Sequence, residues 1–265
     1  MERSAAFAIT ALPIILFAVV ALAEQLNPRR TLMLGRYPRW QTAVLFFGAN
    51  GATGWILAWV ITVPAAATWA AGRNFGILNL LEWPLWAEIL IAFVVLDFAM
   101  WLQHLAMHKV SFLWRTHIVH HADPDLDVST AIRFHPFEII LSTFWKALCV
   151  ALLGVPVLVA LAFEAWLAAN AVFNHGNLAL PRWLDRMLRP FLVTPDMHLV
   201  HHSTATSEQQ SNYGFALTIW DRMFGTYKTE SAAGRECQTI GLLEAQDTRP
   251  EGFLWSAELP LTWRY

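Results

Sequence analysis

The residues best suited to chemistry in this sequence are its ten histidines, which all lie between residues 104 and 202 of the 265-residue chain. Eight of them form three clusters, two of which have the pattern HxxHH: His104 and His108; His117, His120 and His121; His198, His201 and His202. Residues three and four apart share one face of a helix, so each cluster predicts imidazoles that point in one direction. Neutral imidazole binds iron, zinc, copper or nickel, and each ion takes several nitrogen ligands. Eight or nine such nitrogens favour two metal ions over one.

The two remaining histidines stand outside the clusters. His175 follows an apolar segment in the motif Asn174-His175-Gly176-Asn177, and we interpret it as a ligand or a close neighbour of the metals. His135 precedes Pro136, and we assign it a supporting or structural role. A single histidine pair at the end of a membrane helix would more often form interfacial hydrogen bonds. Three clusters in one hydrophobic chain argue instead for a metal site.

Polar residues near the histidines are candidates for orienting the ligand rings. Asp97 lies in an apolar stretch seven residues before His104, on nearly the same helical face. An acid inside a membrane segment is costly and usually functional, and a carboxylate commonly fixes the second nitrogen of a ligand histidine. The alternative is an acid that faces a polar cavity. We group Asp97 with Asn174, Asp196 and His135 as residues that support the ligands.

Other patterns exclude several functions. Asp123, Asp125 and Asp127 alternate, but they lack the glycine and terminal glutamate of an EF-hand, so we interpret them as loop and capping residues. The sequence has no HExxH, GxSxG, P-loop or GxGxxG motif, which removes the usual marks of proteolysis, serine hydrolysis and nucleotide chemistry. A net charge of −2 and a pI near 6.5 give no electrostatic reason to expect a nucleic-acid partner. Two distant cysteines, Cys149 and Cys237, cannot form a disulfide framework or hold an iron–sulfur cluster.

The composition indicates a membrane protein, because 56% of the residues are hydrophobic, 14% are charged and the mean hydropathy is +0.42. A soluble domain would carry about 25% charged residues. Apolar stretches at 5–23, 42–63 and 85–102 predict membrane spans. The stretch 139–172 is broken at Gly154-Val155-Pro156 and predicts a helical hairpin. Each arm has about 15 residues and need not cross the membrane fully. The first stretch could instead be a signal peptide cleaved after Ala21-Leu22-Ala23, but its length and the arginines that follow it argue against cleavage.

The elements place all the histidines on one side of the membrane. Arg29, Arg30, Arg36 and Arg39 follow the first stretch, and such a basic loop prefers the cytoplasm. Two further crossings return the chain to the cytoplasmic side at His104, and both ends of the hairpin lie on that side. The fold class is therefore predicted to be all-α, an integral membrane helical bundle with a cytoplasmic histidine-rich dimetal site and a helical cap.

Several motifs together resemble the fatty acid hydroxylase / sterol desaturase superfamily, in particular its bacterial sterol desaturase branch. They extend from about residue 90 to 228. They comprise the three histidine clusters, with Asp97 before the first cluster. They also comprise the segments 130–138, 174–177, 194–198 and 212–227, the last of which contains Asn212-Tyr213-Gly214. Leu105 departs from the pattern, since many members have arginine after the first histidine. The resemblance divides the chain into N-terminal membrane helices and loops at 1–84, a catalytic domain at 85–230 and a polar tail at 231–265.

The resemblance implies a membrane enzyme that uses two Fe²⁺ ions, O₂ and external electrons to attack an unactivated C–H bond of a lipid. The eight clustered histidines would hold the metals, with His175 as a ninth ligand. The sequence has no haem motif, cysteine cluster or flavin or nicotinamide fingerprint, so a separate ferredoxin- or cytochrome-type donor with its reductase is implied. The implied location is the bacterial inner membrane. Lipid hydroxylation is the first hypothesis; the alternatives are a lipid or sterol desaturase, a carotenoid hydroxylase, and a catalytically inactive membrane metal-binding protein.

Overall fold

The computed structural model describes residues 2–80, 82–234 and 238–263, so Cys237 lies outside the described residues. Within these ranges the chain forms α-helices and four short 3₁₀ helices, and it has isolated β-bridges but no β-strand. The α-helices are α1 (Glu2–Leu26), α2 (Arg36–Leu57), α3 (Val63–Gly72), α4 (Leu85–Lys109), α5 (Ser111–His121), α6 (Pro136–Leu153), α7 (Val157–His175), α8 (Arg182–Leu188), α9 (Pro195–His201), α10 (Thr206–Gln209), α11 (Ile219–Met223) and α12 (Phe253–Thr262). The all-α fold class is confirmed.

Four of these helices, α1, α4, α6 and α7, are long and apolar enough to cross a membrane, which confirms an integral membrane protein. The structure differs from the prediction at residues 42–63. There α2 ends at Leu57, and α3 begins after Thr62, whose side chain accepts a hydrogen bond from the Ala65 backbone N–H at 3.1 Å. Pro64 in the first turn also favours a new helix start. The apolar run is therefore divided between two helices.

The predicted hairpin is confirmed, and its arms α6 and α7 have 18 and 19 residues, longer than the sequence indicated. Gly154 ends α6 with a φ of 75°, a left-handed conformation that favours glycine. The hairpin turn also contacts the loop after α3, because a Cβ on Gly76 would lie 2.3 Å from the Gly154 nitrogen. These two glycines allow the backbone of the turn after α3 to touch the backbone of the turn between α6 and α7.

The opposite end of the bundle carries the polar segments. The Glu24 carboxylate near the end of α1 accepts hydrogen bonds from the backbone N–H groups of Val128 (3.0 Å) and Asn177 (3.1 Å). Asn177 follows α7 directly, so α1 and α7 end side by side. Since α4 and α7 run from the Gly76–Gly154 end to this end, and α6 runs back, the histidine-bearing ends of the helices lie together.

A buried ion network joins the first turn of α2 to the loop after α5. The Arg39 guanidinium contacts Asp123 at 2.8 Å and Asp127 at 2.7 Å, and Arg133 contacts Asp123 at 3.3 Å. Asp127 also caps the 3₁₀ helix that begins at Val128, as predicted. Asp123 does more than the predicted loop role, because it neutralises two buried arginines. Arg39, one of the four arginines that predict the cytoplasmic side of the membrane, is thus also a buried structural residue.

Candidate metal centre

Nine of the ten histidines converge in two buried groups at the polar end of the bundle. One group contains five rings, His104, His108, His117, His121 and His201, and the other contains four, His120, His175, His198 and His202. Within each group the possible ligand atoms lie within 4.8 Å of one another. The rings of His121 and His202 stack at 4.3 Å, which places the two groups side by side. The predicted convergence of three clusters is therefore present, and His175 joins it.

The two HxxHH clusters are shared between the groups in a reciprocal way. On α5, His117 and His121 enter the five-ring group while His120 enters the other. At α9 the two groups are exchanged. His198 and His202, the first and last histidines of that cluster, belong to the four-ring group, and His201 belongs to the five-ring group. Positions i and i+4 of a helix differ by about 40° in direction, but i+3 and i+4 differ by about 100°. Each cluster can thus serve two adjacent ions.

The nitrogen spacing in the four-ring group fits ligands of one metal ion. The Nε2 atom of His175 lies 2.9 Å from Nε2 of His120 and 2.9 Å from Nε2 of His198, and Nε2 of His202 lies 3.2 Å from Nε2 of His198. Two nitrogens bound at about 2.0–2.1 Å to one ion, at tetrahedral or octahedral angles, are separated by about 2.9–3.4 Å. The ring nitrogens therefore have the separations that a shared cation requires.

The five-ring group has buried nitrogens whose bonding capacity is unmet. Among the described residues, both ring nitrogens of His108 and of His121, and Nε2 of His201, lack a hydrogen-bond partner. A buried polar atom without a partner is destabilising. A metal ion would satisfy these atoms. The donor set, consisting of imidazole nitrogens, suits a transition metal such as iron or zinc.

Four of the nine rings are fixed through a hydrogen bond of their Nδ1 atom. The Nδ1 atoms of His104, His175 and His201 donate to backbone carbonyls of Tyr213, Ala171 and Ser211 respectively, each at 2.7 Å. The Nδ1 atom of His117 donates to the Glu138 carboxylate at 2.9 Å. Since a carbonyl only accepts hydrogen bonds, Nδ1 carries the proton and Nε2 keeps its lone pair. Such contacts fix the tautomer and the orientation of a ligand histidine.

The electrostatic environment favours the neutral form of five of these rings. Burial, followed by repulsion from neighbouring imidazoles, lowers the pKa of His120, His121, His198 and His202 well below its ordinary value. Burial also lowers the pKa of His201 to about 3. A neutral imidazole has the free lone pair that metal binding requires.

The histidine groups lie in a part of the chain that matches a known protein family. The family model described as fatty acid hydroxylase matches residues 89–226, more than half of the chain. The chain belongs to the fatty acid hydroxylase family. All nine converging histidines lie inside the matched region of this family member.

Curated relatives of this fatty acid hydroxylase family member act on lipids. The ornithine lipid hydroxylase OlsE of Rhizobium tropici is 31% identical over 146 residues, 55% of this chain and 43% of that protein. Human alkylglycerol monooxygenase is 28% identical over 192 residues, 71% of this chain and 38% of that protein, and rat cholesterol 25-hydroxylase is 30% identical over 152 residues, 57% and 50%. The chain thus spans half or less of the length of these relatives. No solved structure matches it significantly.

A short loop between α10 and α11 supplies two of the carbonyls that hold ligand rings. Asn212, with a φ of 52°, lies between Ser211 and Tyr213, and its side chain bonds to the Met197 and Lys228 backbone. The buried Asp221 carboxylate accepts from the Tyr213 and Gly214 N–H groups at 2.9 and 2.8 Å. The left-handed residue and these bonds define the loop.

Asp97 and Asn174 support this loop region rather than an imidazole in the contacts observed. The Asp97 carboxylate accepts from Trp220 Nε1 at 2.8 Å, and Trp101 Nε1 donates to Asp221 at 3.0 Å, so two bonds cross between α4 and α11. The Asn174 side chain donates to the Phe215 carbonyl at 2.9 Å. The predicted proximity of Asp97 to the site is present, but its partner is a tryptophan.

His135 and Asp196 lie at the edges of the site. His135 caps α6, since its Nδ1 accepts from the Phe137 N–H at 3.1 Å, and it is the one histidine outside both groups. Asp196 begins α9 and pairs with Arg29 at 3.0 Å. This ion pair ties the segment after α1 to the helix that carries His198.

The sequence interpretation did not single out Glu138 or Phe134. Glu138 is buried in the first turn of α6 and is the carboxylate partner of His117. Phe134 stacks on the His120 ring at 4.5 Å and 9°. An acid at the start of an apolar span was the signal that could have identified Glu138. Phe134 carries no comparable signal.

An apolar groove of about 920 Å³ lies between α3, α4 and α6. Its lining includes Trp69, Ala106, Leu148, and the residues Gln103 and Met107, each of which directly precedes a ligand histidine of α4. Gln103 also bonds to Ser142 of α6. The groove has the size and polarity that suit a lipid chain.

Proposed function

We propose that this chain is a membrane non-haem di-iron oxygenase that hydroxylates an unactivated C–H bond of a lipid. The observation that carries the proposal is the pair of adjacent, buried, all-imidazole groups in a member of the fatty acid hydroxylase family. Curated relatives are named as hydroxylases and monooxygenases of ornithine lipids, alkylglycerols and cholesterol, which supports a lipid substrate.

The side chains divide the work between holding metals and holding ligands. The nine histidines bind the metal ions. Four of them are oriented by Glu138 and by the backbone carbonyls of Ala171, Ser211 and Tyr213. Burial of the site excludes water. Two iron ions bound there would supply the redox chemistry that activates O₂ for attack on an alkyl C–H bond. Zinc also binds imidazole but has no redox chemistry, so the reaction requires a redox-active ion, for which we propose iron.

The apolar groove supports entry of the substrate from the bilayer. Its lining comes from helices that can cross the membrane, α4 and α6, and from α3. The groove residues Gln103 and Met107 of α4 directly precede His104 and His108 in the chain, so we propose that a lipid in the groove brings its methylene groups to the five-ring group. Close, oriented approach of the reacting carbon is a main source of rate enhancement.

The proposal includes partners that the chain does not contain. Hydroxylation with O₂ consumes two electrons, so we include a separate ferredoxin- or cytochrome-type donor with a reductase. We also place the protein in a bacterial inner membrane with the metal centre on the cytoplasmic side, supported by the basic segment at residues 29–39.

The test is lipid mass spectrometry of cells grown under ¹⁸O₂ that express the wild type, His201→Ala or His135→Asn. We expect a lipid that carries one heavy oxygen with the wild type and with His135→Asn, which replaces a capping residue outside both histidine groups. The same lipid should be absent with His201→Ala. An unlabelled product that is lighter by two hydrogens would show a desaturase instead, and full labelling with His201→Ala would refute the metal assignment.

A further inference from the structure

The cap exposes a row of large apolar side chains that the metal centre does not use. It is formed by the α8 region and α11 and comprises Trp183, Met187, Phe191, Ile219, Met223 and Phe224, whose exposed fractions lie between 47% and 70%. We call these six residues the cap ridge. Trp183, Met187 and Phe191 are spaced by four residues, so they extend along one side of α8 and beyond its end. Contiguous apolar surface of this kind commonly marks an interaction site.

The two halves of the cap ridge belong to one surface. The backbone N–H of Thr218 donates to the Phe191 carbonyl at 3.2 Å, and Leu192 and Leu217 form an antiparallel bridge. These contacts place the start of α11 next to the segment that follows α8. Phe191 and Ile219 are therefore neighbours although 28 positions separate them in the sequence.

The cap ridge continues into the surface of a membrane-spanning helix. The Phe224 ring stacks on Trp101 at 4.8 Å and on Phe98 at 5.9 Å, and both residues belong to α4. On the same helix, Val94 and Val95 are also exposed, as expected for lipid-facing positions. Because α4 is one of the four candidate spans, the surface next to Phe224 faces hydrocarbon or its boundary.

Exposed arginines border the cap ridge. Arg182 and Arg186 lie next to Trp183 and Met187 on α8, and Arg222 precedes Met223 on α11. A short helix with aromatic and aliphatic residues on one side and arginines beside them is typical of a segment that lies in the membrane interface. Guanidinium groups can bond lipid phosphates while their stems lie along apolar surface.

We propose that the cap ridge is a membrane-interface contact, buried at the headgroup–acyl boundary of the same bilayer that α4 crosses. The lipid phosphates would meet Arg182, Arg186 and Arg222, and the apolar side chains would enter the outer acyl region. A second copy of the chain is a less suitable occupant, because the ridge is continuous with the lipid-facing side of α4 and carries three like charges at its border. This contact is independent of the metal chemistry and holds the cap at a fixed level on the membrane.

The test uses a fluorescent label at Met187→Cys and, as a matched control, at Ser207→Cys, an exposed polar position of the cap helix α10. Both full-length variants also carry Cys149→Ala and Cys237→Ser and are reconstituted in nanodiscs of phosphatidylcholine and phosphatidylglycerol. Quenching is measured with aqueous iodide and with nitroxide lipids labelled near the headgroup. Both variants should retain the α-helical circular dichroism of the parent.

We expect the label at residue 187 to lose iodide quenching and to be quenched by the nitroxide lipid, with a blue-shifted emission. The label at residue 207 should show the reverse. Equal iodide quenching at both positions would overturn the proposal, since the ridge would then be in water. Protection of residue 187 from both quenchers would also overturn it, because the ridge would then be covered by protein.

Discussion

At the scale of single residues, the second nitrogen of each ligand histidine is as informative as the first. Four rings donate Nδ1–H to a carbonyl or to Glu138, so their Nε2 atoms are committed to the interior of the site. Rings without such a bond, such as His108 and His121, have two buried nitrogens to satisfy. The structure therefore separates rings that the protein orients from rings whose nitrogens a metal ion would have to satisfy.

The two histidine groups predict the metal content of single variants. Purified wild type should contain about two iron ions per chain, as in other two-metal sites. His198→Ala and His201→Ala remove one ligand from each group in turn, so each should retain less iron by mass spectrometry. His135→Asn should keep the wild-type content because Asn can still cap α6. Equal iron in all four proteins would contradict the assignment of ligands.

Glu138→Gln should weaken metal binding without removing a ligand. The amide keeps the size of the side chain but loses the charge that strengthens the bond to His117 Nδ1. Loss of such a partner typically costs about 10–100-fold in metal affinity. The measurement is the rate of iron loss to a chelator. Glu88→Gln, an acid in the first turn of α4 at the other end of the bundle, is the matched control and should behave as the wild type.

At the scale of elements, buried charges hold α2 to the loop that follows α5. Arg39 is fully buried between Asp123 and Asp127, and Arg133 shares Asp123. Removing each charge from water costs desolvation free energy, and the ion pairs between the arginines and the aspartates offset that cost. Asp123 follows His121 by two positions, so the network also fixes the end of α5.

Arg39→Met should lower the free energy of unfolding by about 3–5 kcal/mol, because it leaves the buried Asp127 without its arginine and Asp123 with Arg133 alone. The measurement is denaturant unfolding in detergent. The exposed pair of Arg249 and Asp247 provides the control, and Arg249→Gln should leave the unfolding midpoint unchanged. If both variants unfold at the wild-type midpoint, the network is not a source of stability.

The groove formed by α3, α4 and α6 predicts a steric variant that separates substrate entry from metal binding. Ala106→Trp fills the groove, so product formation should fall by about tenfold or more, the effect of about 1.4 kcal/mol. Iron content should stay at the wild-type level. Leu90→Trp, at an exposed position of α4 outside the groove, should retain activity. An active Ala106→Trp protein would exclude the groove as the lipid entry.

At the scale of the whole molecule, the helix directions define two ends of the bundle. The Gly76–Gly154 contact marks one end, and the histidine groups mark the other. Because α2 and α3 together run from the histidine end to Gly76, they replace the second crossing expected from the sequence. The cap then lies wholly at the histidine end.

This arrangement predicts that epitope tags after Gly72 and at Tyr265 lie on opposite sides of the membrane. The tag after Gly72 is next to the Gly76 turn, while the C-terminal segment follows α12, which packs on α5 near the histidines. Protease protection of sealed vesicles measures the two sides. Both tags on one side would refute the topology, and cytoplasmic exposure of the Tyr265 tag would support the proposed location of the metal centre.

Much of the architecture is determined locally and could be predicted from the sequence. The 56% hydrophobic content predicted membrane helices, Gly154 and Pro156 predicted the hairpin turn, and the spacing of the histidines predicted convergence on a metal centre. Each of these features depends on residues close together in the chain, because helical periodicity and backbone limits act over a few positions. The split at Thr62 had a local signal as well, in the cap and in Pro64, but hydrophobicity alone concealed it.

The partners of these residues were decided only by tertiary packing. The bond from His104 to the Tyr213 carbonyl spans 109 positions, and the bond from Asp97 to Trp220 spans 123, so no local pattern specifies either. The assignment of His120 and His201 to opposite groups likewise depends on how α5 and α9 face each other. The lipid groove and the cap ridge exist for the same reason, since both are surfaces shared by helices that meet only in the folded bundle.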